Sequence, residues 1–335
     1  MRRLPTVSDV AEVAGVSRQT VSNVLNTPEI VRPETRERVQ EAISRLGYRP
    51  HASARRLRTR RSSTIGVRLD PGTDGMSGSL LDRFLHALVE RADRSGLRVL
   101  LYTAADEDAE IAVFERLLDG ADVDALVLTS THYGDRRIPW LVEHDVRFVT
   151  FGRPWGEHDM TDRSHRWVDV DGRSGVATAT RDLLERGFRR IAFLGWPAGS
   201  GTGDDRRAGW RDAMRAAGVP DDELDALDLA VDEDPHDSSV GGRAVATIAP
   251  VPDAVVCASD FLALGARLAL GAAVPVIGYD DTPVARALGF ASVAQPLEEV
   301  AAAVLELLRS DGGPQHRLLR PSLVLRGERV VPAVP

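Results

Sequence analysis

The sequence predicts a multidomain protein: a small all-α helix-turn-helix head, then an α/β core of two doubly wound parallel-sheet subdomains. Three observations carry this. Residues 6–47 contain three short stretches of helical periodicity punctuated by glycine and proline. From Thr64 onward, short apolar runs alternate with longer helical patterns in two successive sets, which calls for two parallel sheets covered by helices on both faces. Charge divides along the same line: residues 1–61 carry 13 arginines against 6 acids, a net +7, and the remaining 274 carry 29 against 44, a net −15. A basic segment of helical pattern on an acidic body points to a nucleic-acid partner for the head. At 335 residues, 43% hydrophobic and 27% charged, the chain has enough material for two or three buried cores and is neither disordered nor fibrous in composition.

Composition also excludes chemistry. All 42 basic Lys+Arg residues are arginine, so a Walker-type phosphate loop, a pyridoxal Schiff base and a lysine general base are ruled out. The single cysteine, Cys257, lies in the apolar run Ala254–Ala258 and reads as a small buried hydrophobe. No apolar run approaches the roughly 20 residues of a membrane helix. Polar residues follow Met1-Arg2-Arg3-Leu4-Pro5 where a secretory signal would be apolar, so a cytoplasmic location is expected.

In the head, Val7, Val10, Ala11 and Ala14 recur at helical spacing, and Thr6 with Asp9 forms an S/T-x-x-D start signal. Gly15-Val16 breaks that helix. Ser17 caps a second one running through Leu25, with Thr20, Val21, Val24 and Leu25 as its inward or helix-packing positions. Pro33-Glu34-Thr35 opens a third, with Val39, Ala42, Ile43 and Leu46 on one face and Gly47 at its end.

The residues in these helices are more specific than their periodicity. The segments Thr6 to Asn26, Thr35 to Val39 and Leu46-Gly47-Tyr48-Arg49-Pro50 closely resemble the DNA-binding domain of lactose-repressor-type (LacI/GalR) transcription regulators. The second helix of such a motif enters the major groove N-terminus first, which makes Arg18, Gln19 and Asn23 the expected base readers. Thr6, Ser17, Thr20, Ser22, Asn26 and Thr35 suit phosphate contacts, and each hydroxyl is equally at home as a helix cap. The basic stretch Pro50–Arg61 reads bottom-up as a linker. In the family it corresponds to a hinge helix that orders on operator DNA and enters the minor groove. That resemblance implies contacts from His51, Ala54, Arg55 and Leu57, with Leu57 as an apolar wedge and His51 where asparagine is common.

In the body, strands are expected at 65–69, 97–102, 125–128 and 147–151, then at 167–170, 191–194, 227–231, 254–257 and 274–277. Helices are expected at 79–95, 107–119, 135–144, 173–186, 205–217, 238–248 and 261–270. Paired doubly wound sheets leave a crevice at their strand C-termini. This half also resembles the family, whose core is similar to periplasmic sugar-binding proteins, through Thr64–Val67, Phe151-Gly152-Arg153, Val168–Asp171, Arg206–Trp210, Ala258-Ser259-Asp260 and Gly278–Asp281. The implied division is a head at 1–49, a hinge at 50–63 and a core at 64–335. Within the core, the first subdomain takes about 64–166 and 295–320, the second about 167–294 and 321–335.

Bidentate Arg and Asp suit neighbouring hydroxyls, and flat aromatics cover a sugar's CH faces. By the resemblance, Arg206 is the ligand clamp and Asp280 the ligand carboxylate. Asp70 and Arg153 stand at crevice-facing strand ends, and Trp155 and Trp196 are expected to be exposed enough to stack on a sugar, whereas Trp210 packs its own helix. Ser259 replaces an asparagine that often touches ligand in relatives.

The expected effector is a mono- or disaccharide, with a purine-type corepressor as the alternative. The Gly195–Gly203 loop fits neither a dinucleotide nor a Walker motif, and the histidines show no metal spacing, so no cofactor, metal or catalytic set is expected. A sugar-processing enzyme with a DNA-binding head is the remaining alternative class. The reading is a repressor that binds a near-palindromic operator as a homodimer, since one such head covers only a half-site.

Overall fold

The computed structural model describes residues 5–48, 62–69, 78–156, 160–232, 237, 239–310, 312 and 315–326. The chain divides into two compact units, Met1–Ser62 and Ser63–Pro335.

Among the described residues, the first unit consists of helices α1 (Val7–Ala14), α2 (Arg18–Asn26) and α3 (Pro33–Leu46), with a 3₁₀ turn at Pro28–Ile30. At the start of α1, the Thr6 amide and hydroxyl donate to Asp9 Oδ2 at 2.7 and 2.8 Å and the Asp9 amide returns a bond to Thr6 Oγ1. Such a reciprocal cap is worth about 1 kcal/mol. The apolar stripes meet in one small core of Val10, Ala11, Ala14, Val21, Val24, Val39, Ala42 and Tyr48.

The second unit contains two six-stranded sheets. The first holds β1 (Thr64–Arg68), β2 (Arg98–Tyr102), β3 (Ala125–Leu128), β4 (Phe148–Phe151) and β5 (Trp167–Val170), and helices α4 (Gly78–Arg94), α5 (Glu107–Asp119) and α6 (Arg137–Glu143) connect its first four strands. The second begins after α7 (Gly172–Glu185) with β6 (Ile191–Gly195), followed by α8 (Thr202–Ala216), α9 (Asp221–Leu227), β7 (Asp228–Ala230), α10 (Val240–Val245) and β8 (Ala254–Cys257). It continues through α11 (Asp260–Leu270), β9 (Val276–Tyr279), α12 (Pro283–Leu288) and β10 (Ala291–Ala294). The chain then returns to the first lobe in α13 (Leu297–Arg309) and β11 (His316–Leu319), and ends in the second with β12 (Ser322–Val324).

Strand order is β11-β5-β4-β3-β1-β2 in one sheet and β12-β10-β9-β8-β6-β7 in the other, parallel throughout except for β10 with β12. All-parallel strands covered by helices on both faces explain why runs such as Ala125–Leu128 and Ala254–Cys257 are buried at every position. No helix among the described residues is long and apolar enough to cross a membrane.

Two expectations are corrected here. Trp167–Val170 belongs to the first sheet, not the second: it pairs with β4 through Thr150↔Trp167 and with β11 through His316↔Trp167. The lobe boundary therefore falls after Val170. Residues 227–231 are also not one continuous strand, because the acid-rich helix α9 occupies Asp221–Leu227 and leaves three residues for β7. The chain passes between the lobes near residues 171, 295 and 320, and a crevice lies between them at the strand C-termini.

Candidate functional site

The second helix of the head carries an exposed polar edge. Ser17 caps α2 by accepting from the Thr20 amide at 3.1 Å, and its hydroxyl pairs with Thr20 Oγ1 at 2.9 Å. Arg18 and Gln19 follow, both exposed. Gln19 Nε2 donates to Asn23 Oδ1 at 3.0 Å. This leaves Gln19 Oε1 and Asn23 Nδ2, an acceptor and a donor one turn apart, which is the pair an adenine edge requires. Asn26 Nδ2 donates to the Ser22 carbonyl at 2.6 Å, and Thr6 is engaged in its capping box. These polar groups hold the helix ends as well as facing outward. Thr35 is the third residue of α3 and not its cap. His51, Ala54, Arg55 and Leu57 lie outside the described residues.

In the core, a cavity of about 450 Å³ separates the lobes, and Trp196, Arg206, Ser259 and Asp280 stand together in its wall. Arg206, on α8, is 6% exposed. Its Nη1 donates to the Ala258 carbonyl, its guanidinium lies 3.6 Å above the Tyr279 ring centre and 5.6 Å from that of Trp196, and its Nη2 is 3.8 Å from Asp280 Oδ1. Its Nε is buried without an acceptor. Asp280 follows β9 with φ of +101°, turned so that Oδ1 also accepts from Gln295 Nε2 at 2.6 Å. Burial raises the Asp280 pKa, opposed by Arg206. Ser259 caps α11 by accepting from the Leu262 amide.

The remaining expected ligand residues are placed differently. Arg153 is not in the cavity wall. Its Nε donates to Asp169 Oδ2 at 2.6 Å and its Nη2 to Asp205 Oδ2 at 2.7 Å, so it ties the first lobe to α8 of the second. Trp155, expected to be exposed, is 91% buried: the Arg153 guanidinium sits 4.7 Å over its ring, and the ring lies against Gly201. A Cβ at Gly201, whose φ is +38°, would come within 2.5 Å of that ring. Asp70 lies outside the described residues. Trp210 is fully buried and donates Nε1–H to the Ile191 carbonyl.

Sequence reasoning missed three contributors. Asp260 is 1% exposed in the cavity floor, accepting from Ser292 Oγ at 2.7 Å and the Thr282 amide at 2.6 Å, and burial pushes its pKa up to about 7. The close approach of its carboxylate requires Gly278, where a Cβ would meet Asp260 Oδ1 at 2.1 Å. Asp169, on β5, lines the cavity, and burial raises its pKa against the pull of Arg153. Thr129-Ser130-Thr131 supplies hydroxyls from the end of β3. The available signal was a polar residue closing an apolar strand. Glu107, His132 and Asp135 each bring one ligand atom to within 4.8 Å of the others, but Glu107 already pairs with Arg136 and Asp135 with Arg137.

A helix-turn-helix unit joined to a two-lobed core with a polar crevice defines a ligand-binding DNA-binding regulator. Two family models match: bacterial regulatory proteins of the lacI family over residues 6–51, and a periplasmic binding protein-like domain over residues 180–327. The chain is 36% identical to the HTH-type transcriptional regulator CelR of Thermobifida fusca, covering 92% of each. It is 32% identical to the regulator AglR of Rhizobium meliloti, over 96% of this chain and 93% of AglR. A solved CelR–cellobiose complex superposes with a TM-score of 0.68 at 31% identity, over 96% of this chain and 99% of that one. The lac repressor dimer bound to operator and the anti-inducer ONPF gives 0.80 at 24% identity, over 98% and 100%, a match of fold. The chain belongs to the LacI family of transcriptional regulators.

Proposed function

We propose that this protein is a cytoplasmic homodimeric repressor that reads a near-palindromic operator through Arg18, Gln19 and Asn23, and that a small sugar held in the crevice changes its operator affinity. The observation that carries the effector reading is Arg206: a buried guanidinium, fixed by Ala258 and Tyr279, whose Nη2 lies 3.8 Å from the Asp280 carboxylate and whose Nε has no acceptor, in a cavity wall that includes Trp196. Paired donors, a carboxylate and an aromatic face are what vicinal hydroxyls and a CH face require. The CelR–cellobiose complex supports the same ligand class. Because the crevice is walled by both lobes, ligand binding there favours one lobe arrangement over another, and a ligand shifts an equilibrium only through such differential contact.

The test is thermal unfolding of the full chain against sugars, sugar phosphates and nucleobases. A ligand at about 100 times its Kd adds about 2.7 kcal/mol of stability. A sugar that raises the midpoint of the parent and not of Arg206→Ala identifies effector and site together. A nucleobase doing so replaces the sugar with a purine-type corepressor, and no shift across the panel removes the ligand-operated switch.

A further inference from the structure

A side chain outside the crevice wall reaches across the lobes to the turn that carries Asp280. Arg83 lies on α4 of the first lobe and is half-buried. Its Nη1 donates to the Asp280 carbonyl at 2.9 Å and to the Asp281 carbonyl at 3.2 Å, both in the second lobe. Asp280 and Asp281 have φ of +101° and +50°, and among the described residues they are the only adjacent non-glycine pair with positive φ. Such backbone is costly and persists only where its surroundings over-determine it. Much of the fixing comes from the second lobe itself. The Asp280 amide donates to the Val293 carbonyl at 2.8 Å and the Asp281 amide to Ser292 Oγ at 2.9 Å, while Arg286 and Arg326 hold the Asp281 carboxylate. Arg286 also donates to the Asp281 carbonyl, at 3.2 Å. The donor to the Asp280 carbonyl is Arg83, from the opposite lobe. Burial raises the Asp280 pKa, and Arg206, the Gln295 hydrogen bond and the Arg83 charge oppose that rise.

We propose that Arg83 is a positioning residue for the effector: from the first lobe it fixes the backbone of Asp280, so that this carboxylate holds its place in the crevice only while α4 is docked on the turn. The inference rests on the reading of Asp280 as a ligand residue and names the first-lobe group on which its placement depends. A side chain leaves its Cα in a direction set by the backbone. Loss of the donor therefore frees the turn and moves the Asp280 carboxylate relative to Gln295 and Arg206. Docking of α4 and placement of the carboxylate become one linked equilibrium, and a ligand that selects the second also selects the first. Both bonds use a single nitrogen, so a lysine ammonium can replace them, whereas methionine keeps the length of the side chain and supplies no donor.

The test is ¹⁹F NMR of the full chain labelled with 5-fluorotryptophan, without added sugar, in the parent, Arg83→Met and Arg83→Lys, each resonance assigned by a Trp→Phe replacement. Trp196 is in the crevice wall, 5.6 Å from the Arg206 guanidinium, and Trp155 of the first lobe lies against Gly201 of the second, so these two report the crevice. Trp140, Trp167 and Trp210 each stack within one lobe and serve as controls. Arg83→Met is expected to move the Trp155 and Trp196 resonances and leave the other three in place, and Arg83→Lys to return both toward the parent positions. Crevice resonances unmoved in Arg83→Met, or all five moving together, overturn the positioning role, as does a lysine variant that behaves like methionine. In the unfolding panel, a sugar that raises the parent midpoint should raise that of Arg83→Met less, and an equal rise also overturns it. The effector reading fails by a different result, a parent that no sugar shifts, which leaves the ligand-free resonances unaffected.

Discussion

Replacing Asp260 by asparagine tests whether the crevice floor carries a carboxyl that resists ionisation. Its oxygens are fully engaged, one by Ser292 Oγ and one by the Thr282 amide, yet burial next to the Asp280 carboxylate pushes its pKa up to about 7. In the unfolded chain the same group titrates near 3.9. Between those values the folded protein holds one proton more than the unfolded, so stability falls as pH rises, by about 1.4 kcal/mol per unit and about 4 kcal/mol in all. The penalty is absent below the unfolded pKa and complete above about pH 7. Asparagine keeps the geometry: its Oδ1 accepts from Thr282 and its Nδ2 donates to Ser292. The stability difference between Asp260→Asn and parent should therefore move in favour of the variant by up to about 4 kcal/mol between about pH 4 and about pH 8. Urea unfolding followed by tryptophan fluorescence reads this cleanly, because Trp140, Trp155, Trp167, Trp196 and Trp210 all lie in the second unit. Parallel stability curves for the two proteins across that range would refute the account.

Two further outcomes follow from the same geometry. Cutting the Arg153–Asp205 tie between the lobes with Asp205→Asn should lower the unfolding free energy by about 1.5–3 kcal/mol, the range for a hydrogen bond to a charged group, and a double-mutant cycle with Arg153→Met should show coupling; additive effects would mean the contact holds nothing together. Arg18→Ala should relax base preference at one position per half-site by about 1–3 kcal/mol, read by a selection from randomised operators, and an unchanged preference profile would remove Arg18 from the readers.

The head was legible because what builds it is local. The Thr6–Asp9 cap, the Gly15 and Gly47 reversals and Pro33 at the start of α3 each act within one helical turn of the residues they organise. The buried strands were legible for the same reason, as short apolar runs bounded by polar residues. Sheet membership is not local: Trp167–Val170 reads the same wherever it pairs, and its place is set by β4 on one side and, on the other, by β11, which arrives after the chain has crossed into the other lobe and back. Helix α9 escaped notice because Asp221–Leu227 buries only Leu224 and Leu227, too few for a stripe.

The site shows the same division more sharply. Both Arg206 and Arg153 were expected at the ligand, Arg206 by its resemblance to the family's clamping arginine and Arg153 by its place at a crevice-facing strand end. What separates them is the distance to a carboxylate. Arg153 has two within 2.7 Å, from Asp169 and Asp205, so its charge is spent joining the lobes. Arg206 has its nearest at 3.8 Å and a buried Nε with no acceptor, so part of its donor set is unused. A guanidinium already held by two carboxylates has little left for a ligand, whereas one fixed by a carbonyl and a ring keeps its charge available to neighbouring hydroxyls. That difference is set by residues from both lobes, brought together only after the crossovers near 171, 295 and 320 are made. The sequence therefore brings both arginines to the neighbourhood of the crevice, and the partners each meets there decide whether its donors are taken up by the other lobe, as in Arg153, or left open, as in Arg206.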